Sequence, residues 1–218
     1  MLAGWELPEP GVLFVVSGPS GVGKSTLVRQ AMNRIPGLSF SVSATTRPPR
    51  HGELDGVHYH FVTPDRFATL AEADAFLEHA TVYDRRYGTL RAETEGALSS
   101  GRSIVLDIDV QGARQVRARM PEAVHVFVLP PSVAVLEARL TGRGSEGAEL
   151  IARRMALATE QLRGCPEYDY VVVNDDLETA DATFQGILLA EMSRIGRRGR
   201  TIARVLGEVP ARGGVTGS

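Results

Sequence analysis

The stretch that decides the fold is Gly18-Pro-Ser-Gly-Val-Gly23-Lys24-Ser25, a complete G-x-x-x-x-G-K-S. The apolar run Val12–Ser17 (VLFVVS) leads into it, and a helical pattern over Ser25–Arg34 leads out. Strand, glycine-rich loop and helix in that order make a phosphate cradle. The glycines let the backbone curl until successive N–H groups converge on phosphate oxygens. The helix that follows adds its positive end. Gly18, Pro19, Ser20, Gly21, Val22, Gly23, Lys24, Ser25 and Thr26 are therefore expected to hold a nucleoside triphosphate. Lys24 supplies a point charge to the β- and γ-phosphates, and the Ser25 hydroxyl can ligate Mg²⁺. Kinases, GTPases, ATPases and nucleotide-gated switches share such a loop, so the rest of the chain must choose among them.

Outward from the loop, further short apolar runs read as buried strands: Ser39–Ser43, Ser103–Ile108, Val124–Leu129 and Tyr170–Asn174. Apolar character on both faces suits a parallel sheet covered by helices. Helical patterns lie between most of them, at Arg91–Leu98, Gln111–Met120, Val133–Leu140 and Leu177–Arg194. This alternation predicts a three-layer α/β fold with a parallel central sheet. Two segments break the rhythm. Residues 44–89 are dense in Arg, Pro, Gly and aromatic residues, with alternating stretches at Val57–Val62 and Phe76–Tyr83, and read as an inserted subdomain of mixed structure. Residues 142–163 open with GRGSEG and continue into a basic helical pattern, Leu150–Arg163, which reads as a lid. The core then comprises about 11–43, 90–141 and 164–195, after a short extension over 1–10. Residues 196–218 carry five arginines against one glutamate and end in polar and glycine residues, a composition that predicts disorder.

Bulk properties narrow the partners. The net charge of −2 gives no global basic field for nucleic acid. Cys165 is the single cysteine, which excludes an intramolecular disulfide. The opening MLAGWELPEP lacks the basic start and apolar run of a secretory signal, and no stretch approaches the ~18 apolar residues of a membrane span. A cytoplasmic protein with no membrane partner is expected.

Beyond the loop come Ser41-Val-Ser-Ala-Thr-Thr-Arg-Pro-Pro-Arg50, Gly52-Glu53, Phe76-Leu-Glu78, Tyr87-Gly88-Thr89, Leu106-Asp-Ile-Asp-Val-Gln-Gly112, Arg139-Leu-Thr-Gly-Arg143, and Tyr168-Asp-Tyr with Val173-Asn-Asp-Asp176. This ordered set, over about residues 11–195, resembles the guanylate kinases. The resemblance implies a P-loop core, a GMP-binding subdomain at 44–89, a lid at 142–163, and ATP and GMP as substrates with Mg²⁺. It implies that Arg47, Arg50, Tyr59 and Tyr87 grip the GMP phosphate, and that Glu78 reads guanine with Ser43 and Thr89. Asp107 would lie near the metal, directly or through water, and Asp109 near GMP. Asn174 would help to hold the adenine. Lys24, Arg47, Arg139, Arg143 and Arg154 would stabilise the transferring phosphoryl group.

The residue chemistry agrees. Arg47 and Arg50 flank two prolines that stiffen their loop, and two guanidinium forks suit one phosphate. A carboxylate such as Glu78 can accept from guanine N1–H and N2–H₂ together, which adenine cannot supply. Two positions depart from the family's pattern: Arg85 and Arg86 stand where a small neutral turn is more usual, and Gly147 lies in a lid that usually carries more carboxylates. His58 and His60 alternate on an expected strand, but two histidines without a third ligand are a weak metal signal. Two other readings stay open on sequence: a guanylate-kinase-like module that binds a protein partner, and a P-loop kinase for another phosphorylated acceptor.

Overall fold

The computed structural model describes residues 6–82, 84–141 and 148–208, with only the backbone at 148–150. In chain order the elements are β1 (Leu13–Ser17), α1 (Lys24–Arg34), β2 (Leu38–Phe40), β3 (Ala44–Thr45), β4 (His60–Phe61), α2 (Pro64–Glu72), β5 (Phe76–Val82), β6 (Arg85–Leu90), α3 (Arg91–Ser99), β7 (Ser103–Asp107), α4 (Val110–Arg119), β8 (Val124–Leu129), α5 (Val133–Thr141), α6 (Ala148–Arg163), β9 (Tyr170–Val173), α7 (Leu177–Met192) and α8 (Gly199–Gly207).

The main sheet is parallel throughout, in the order β2-β7-β1-β8-β9. Every residue of β1 is buried, which is why its sequence is apolar at consecutive positions rather than alternate ones. Phe14 and Val16 pack on one face with Leu27, Val28 and Ala31 of α1 and Phe184, Leu188 and Met192 of α7. Leu13 and Val15 pack on the other with Ala97 of α3 and Ala113 and Val116 of α4. Those two cores make the three layers. The strand that follows β1 in sequence lies two places away, so the carboxyl end of β1 opens at a point where the strand order reverses.

Residues between β2 and α3 form a second sheet, in the order β4-β3-β6-β5. Phe67 of α2 stacks on Phe76 of β5 with ring centroids 4.6 Å apart, and Ala44 completes that small core. The start of α2 follows its sequence closely. The Thr63 side chain accepts from Arg66 N–H, Pro64 sits in the first turn and Asp65 follows. The alternation over Val57–Val62 predicts a longer strand than is present. Both Val57 N–H and His58 N–H donate to Leu54 C=O, so these residues turn, and only His60–Phe61 pairs in the sheet.

The arginine-rich segment after 195 departs from expectation. Instead of disorder, Gly199–Gly207 form α8. Composition registers the positive charge but not the carboxylates that meet it from elsewhere in the chain. Arg204 donates to Glu6 Oε1 at 2.8 Å, Thr201 also bonds Glu6, and Arg200 pairs with Glu9. Glu9 N–H donates to Arg197 C=O at 2.8 Å, closing a clasp ahead of β1. Residues 209–218 lie outside the described residues. Among the described residues no helix is long and apolar enough to cross a membrane.

Candidate active site

The loop from Gly18 to Gly23 joins the end of β1 to α1. Gly23 has φ +99°, and a Cβ there would come within 2.3 Å of Asn174 Nδ2, so the position requires glycine twice over. Among the described residues no side chain caps α1, and Ser25 and Thr26 are exposed in its first turn. Its leading N–H groups are thus available to an anion. Lys24 Nζ lies 2.7 Å from Gly18 C=O and 3.7 Å from the Asp107 carboxylate at the end of β7. The protein around Asp107 raises its carboxyl by desolvation, and Lys24 opposes that rise.

One cleft of about 450 Å³ opens beside the loop, lined by Gly21, Val22, Gly23, Thr26, Arg139, Asn174 and Asp175. Asn174 is buried and donates Nδ2–H to Val22 C=O at 2.7 Å. Arg139 of α5 donates to the Asn174 backbone carbonyl at 3.1 Å. Asn174 therefore fixes the shape of the loop, a contact across 152 positions that no motif spacing reveals.

A second cleft of about 470 Å³ lies between the two sheets, lined among others by Ser43, Glu53, Tyr59 and Asp107. Arg47 lies against Glu53, one of these lining residues, with its own side chain 13% exposed. Its guanidinium sits 5.3 Å from the Tyr59 ring centroid, and the Tyr59 and Tyr87 rings meet edge-on at 6.1 Å. Glu53 holds this group together. Arg47 Nη1 and Nη2 each donate to one of its carboxylate oxygens at 2.9 Å, and Arg50 N–H donates to Oε2 at 2.7 Å. Those contacts, Arg47 first, bring the Glu53 carboxyl down to about 2. The Arg50 residue itself is exposed. The pairing with Glu53 uses the end-on fork of Arg47, and Pro48 C=O takes the other Nη1–H at 2.8 Å. The side fork, Nε–H with the second Nη2–H, points away from Glu53.

Deeper in the subdomain, Glu78 is 5% exposed on β5. Thr89 of β6 donates Oγ1–H to Glu78 Oε1 at 2.7 Å. Burial raises the Glu78 carboxyl, Thr89 pulls it down, and Asp109 adds to the rise. Asp109 caps α4 by accepting Gly112 N–H at 2.8 Å. The sequence-expected residues thus fall into three neighbourhoods: the loop with Lys24, Asp107 and Asn174; Arg47 with Tyr59 and Tyr87; and Glu78 with Thr89.

Of the lid arginines, Arg154 is half-buried on α6 and its neighbour Arg153 is exposed. Arg143 and Gly147 lie outside the described residues. Arg86 directs its guanidinium over the Phe67 ring, 5.9 Å from the centroid, and Arg85 pairs with adjacent Asp84. His58 Nδ1 accepts Leu54 N–H, and His60 Nε2 lies 2.9 Å from Glu93. Sequence reasoning assigned no role to Glu53. The signal was present in the Arg-Pro-Pro-Arg-His-Gly-Glu order, where a carboxylate follows two arginines across a turn.

The guanylate kinase family model matches residues 11–191. A guanylate kinase of Alkalilimnicola ehrlichii is 49% identical over 197 residues, covering 90% of this chain and 97% of that protein. One from Vibrio parahaemolyticus is 51% identical over 183 residues, covering 83% and 88%. The crystal structure of guanylate kinase from Anaplasma phagocytophilum superposes with a TM-score of 0.70 at 31% identity, covering 94% of this chain and all of that one. With an intact phosphate loop, a second cleft facing it and a match across nearly the whole chain, the protein belongs to the guanylate kinase family.

Proposed function

We propose that this chain transfers the γ-phosphoryl group of ATP to GMP, giving ADP and GDP, with the loop cleft taking ATP and the cleft between the sheets taking GMP. The observation that carries the acceptor's identity is the buried Glu78 carboxylate, partnered by Thr89 in the subdomain that faces the loop. Guanine supplies two donors to such a carboxylate, and Ser43 lines the cleft between the sheets. The side fork of Arg47, with Arg50 and the Tyr59 and Tyr87 hydroxyls, receives the GMP phosphate.

That phosphate oxygen is already an anion, so the attack needs no strong base. The work of the site is positioning and charge stabilisation. Lys24 and the loop N–H groups hold the β- and γ-phosphates. Arg139, Arg143 and Arg154 meet the charge that spreads over the transferring group. Ser25 and Asp107 would hold Mg²⁺, which supplies charge neutralisation between the phosphates. Two protein oxygens suit an ion that keeps most of its shell as water and phosphate oxygens. Asp109 keeps α4 in register below the acceptor. Exclusion of water protects ATP from hydrolysis while both substrates are bound.

A coupled assay for ADP tests this over GMP, AMP and a phosphorylated sugar. ADP is expected with GMP at a rate far above the others. A preference for the sugar would establish a different acceptor, and no acceptor-dependent ADP at all would point to a binding module.

A further inference from the structure

Strand β5 is an edge of the smaller sheet, and an edge strand leaves alternate peptide groups without a strand partner. Here those groups are taken by a helix that belongs to the main sheet. Gln115 of α4 accepts His79 N–H on Oε1 at 3.2 Å and returns Nε2–H to His79 C=O at 3.1 Å. A single carboxamide thus stands in for a neighbouring strand. One turn further along α4, Arg119 donates Nη1–H to Leu77 C=O at 3.3 Å and Nη2–H to Asp74 at 3.3 Å. One turn back, Gly112 faces the Glu78 carboxylate so closely that a Cβ would stand 3.1 Å from Oε2.

Positions 112, 115 and 119 are spaced i, i+3 and i+7, one face of one helix. That face grips the backbone on both sides of Glu78, at Leu77 and His79, and forms the floor under its carboxylate. The grip falls where β5 needs it. Its pairing with β6 shifts register between Phe76 and Glu78, and such an irregularity interrupts the ladder that would otherwise fix the strand. Helix α4 in turn is rooted in the main sheet. Two residues separate it from β7, and it buries Ala113 and Val116 against β1 and β7.

We propose that Gln115 is a positioning residue for base selection. It holds β5 so that Glu78 presents both carboxylate oxygens to the N1–H and N2–H₂ edge of the acceptor base. The inference rests on the reading of Glu78 as the base-contacting residue. A displacement of about 1 Å at such a contact is enough to cost a large factor in rate. Arg119 supports the same strand and also draws the Glu78 carboxyl downward, against its burial.

The test is Gln115→Met, which keeps length and volume and removes both hydrogen bonds. Values of kcat and KM are measured for GMP, AMP and ATP, with amide exchange at His79 followed by NMR. KM for GMP should rise ~10-fold, the loss expected for two neutral hydrogen bonds. The GMP:AMP ratio of kcat/KM should fall by at least ~5-fold, KM for ATP should stay within about twofold, and His79 should exchange faster. Should Gln115→Met not fold, Gln115→Leu gives the same readouts. It also removes both hydrogen bonds without adding a charge, so its values should match those expected for Met. A GMP:AMP ratio equal to that of wild type overturns the proposal. So does a fall in kcat alone with the GMP:AMP ratio and the KM values unchanged, the pattern of a merely structural contact. If wild type itself shows no preference for GMP over AMP, the assignment of Glu78 fails first and the proposal with it; the wild-type measurements separate that case from the others.

Discussion

Arg47 and Glu53 form a closed two-point pair, Nη1 to Oε2 and Nη2 to Oε1, both at 2.9 Å, with side chains only 13% and 19% exposed. An arginine on a proline-rich loop is thereby held before any ligand arrives, with its end-on fork engaged by Glu53. Glu53→Gln keeps the shape but removes the charge. It should raise KM for GMP about 5- to 10-fold, with KM for ATP unchanged, because charge-assisted bonds are the stronger kind. The Glu53 carboxyl is lowered from 4.5 to about 2. Its contribution is therefore fully present above about pH 4.5 and is lost as pH falls toward 2. Steady-state kinetics with each substrate varied checks the first part. An equal rise in both KM values would show that Glu53 supports the whole cleft rather than the acceptor side.

Glu78→Gln should lose kcat/KM for GMP heavily while the value for AMP falls less or rises. The discrimination ratio should shrink by at least ~10-fold. Burial, opposed by Thr89, raises the Glu78 carboxyl, so lowering the pH protonates it sooner than a free carboxyl and turns an acceptor into a donor. KM for GMP should accordingly climb on the acid side in wild type, and this limb should be absent in Glu78→Gln. The same rise means that the ionised carboxylate costs the folded state stability above its unfolded value of 4.5. The Gln variant should then melt at or above the wild-type temperature at neutral pH. A lower Tm, together with an unchanged GMP:AMP ratio, would show a structural residue rather than a base reader.

Lys24→Ala should reduce turnover by at least ~10²-fold, since it removes a preorganised cation from the developing charge. Among the described residues Lys24 bonds only its own loop and Asp107, so circular dichroism should be unchanged. A folded variant with near-wild-type ADP formation would remove ATP from the loop cleft.

His125 offers a prediction about stability. It lies on β8, 1% exposed, and its Nε2 has no partner among the described residues. Burial first, then Arg117, push its pKa from 6.5 down to about 4, with Asp169 opposing. The unfolded chain takes up this proton first, so stability present above about pH 6.5 is lost as pH falls to about 4. Solvent screening keeps the loss below the roughly 3 kcal/mol that the full shift would carry. His125→Phe keeps an aromatic ring against Tyr168, 5.8 Å away between centroids in the wild type. Its melting temperature should decline less steeply over that interval, and parallel curves for the two proteins would exclude His125 as the cause.

The main sheet was legible in the sequence because its strands are apolar at consecutive positions and its loop motif sits at a fixed place between strand and helix. Leu13–Ser17 needed no more than that. The smaller sheet was less so. Thr63-Pro64-Asp65 carries a helix-start signature, yet the Arg, Pro, Gly and aromatic residues around α2 point only to mixed structure. Helix α8 was lost because its partners, Glu6 and Glu9, lie nearly two hundred positions away. The same limit applies to side chains. The family motifs bring out Glu78, but the Gln115 grip spans 36 residues and the Asn174 contact with Val22 spans 152. Local spacing carries no trace of either.

The clasp between residues 6–9 and 197–204 gives the molecule a front and a back. Glu9 pairs with Arg197 just ahead of β1, whereas the phosphate loop leaves that strand's far end. Five residues of strand, about 16 Å, separate the two. A tether, affinity handle or fused domain joined beyond the clasp therefore starts from the side opposite the chemistry. For immobilised or tandem versions of this enzyme, attachment there leaves the approach of both nucleotides unobstructed at its origin.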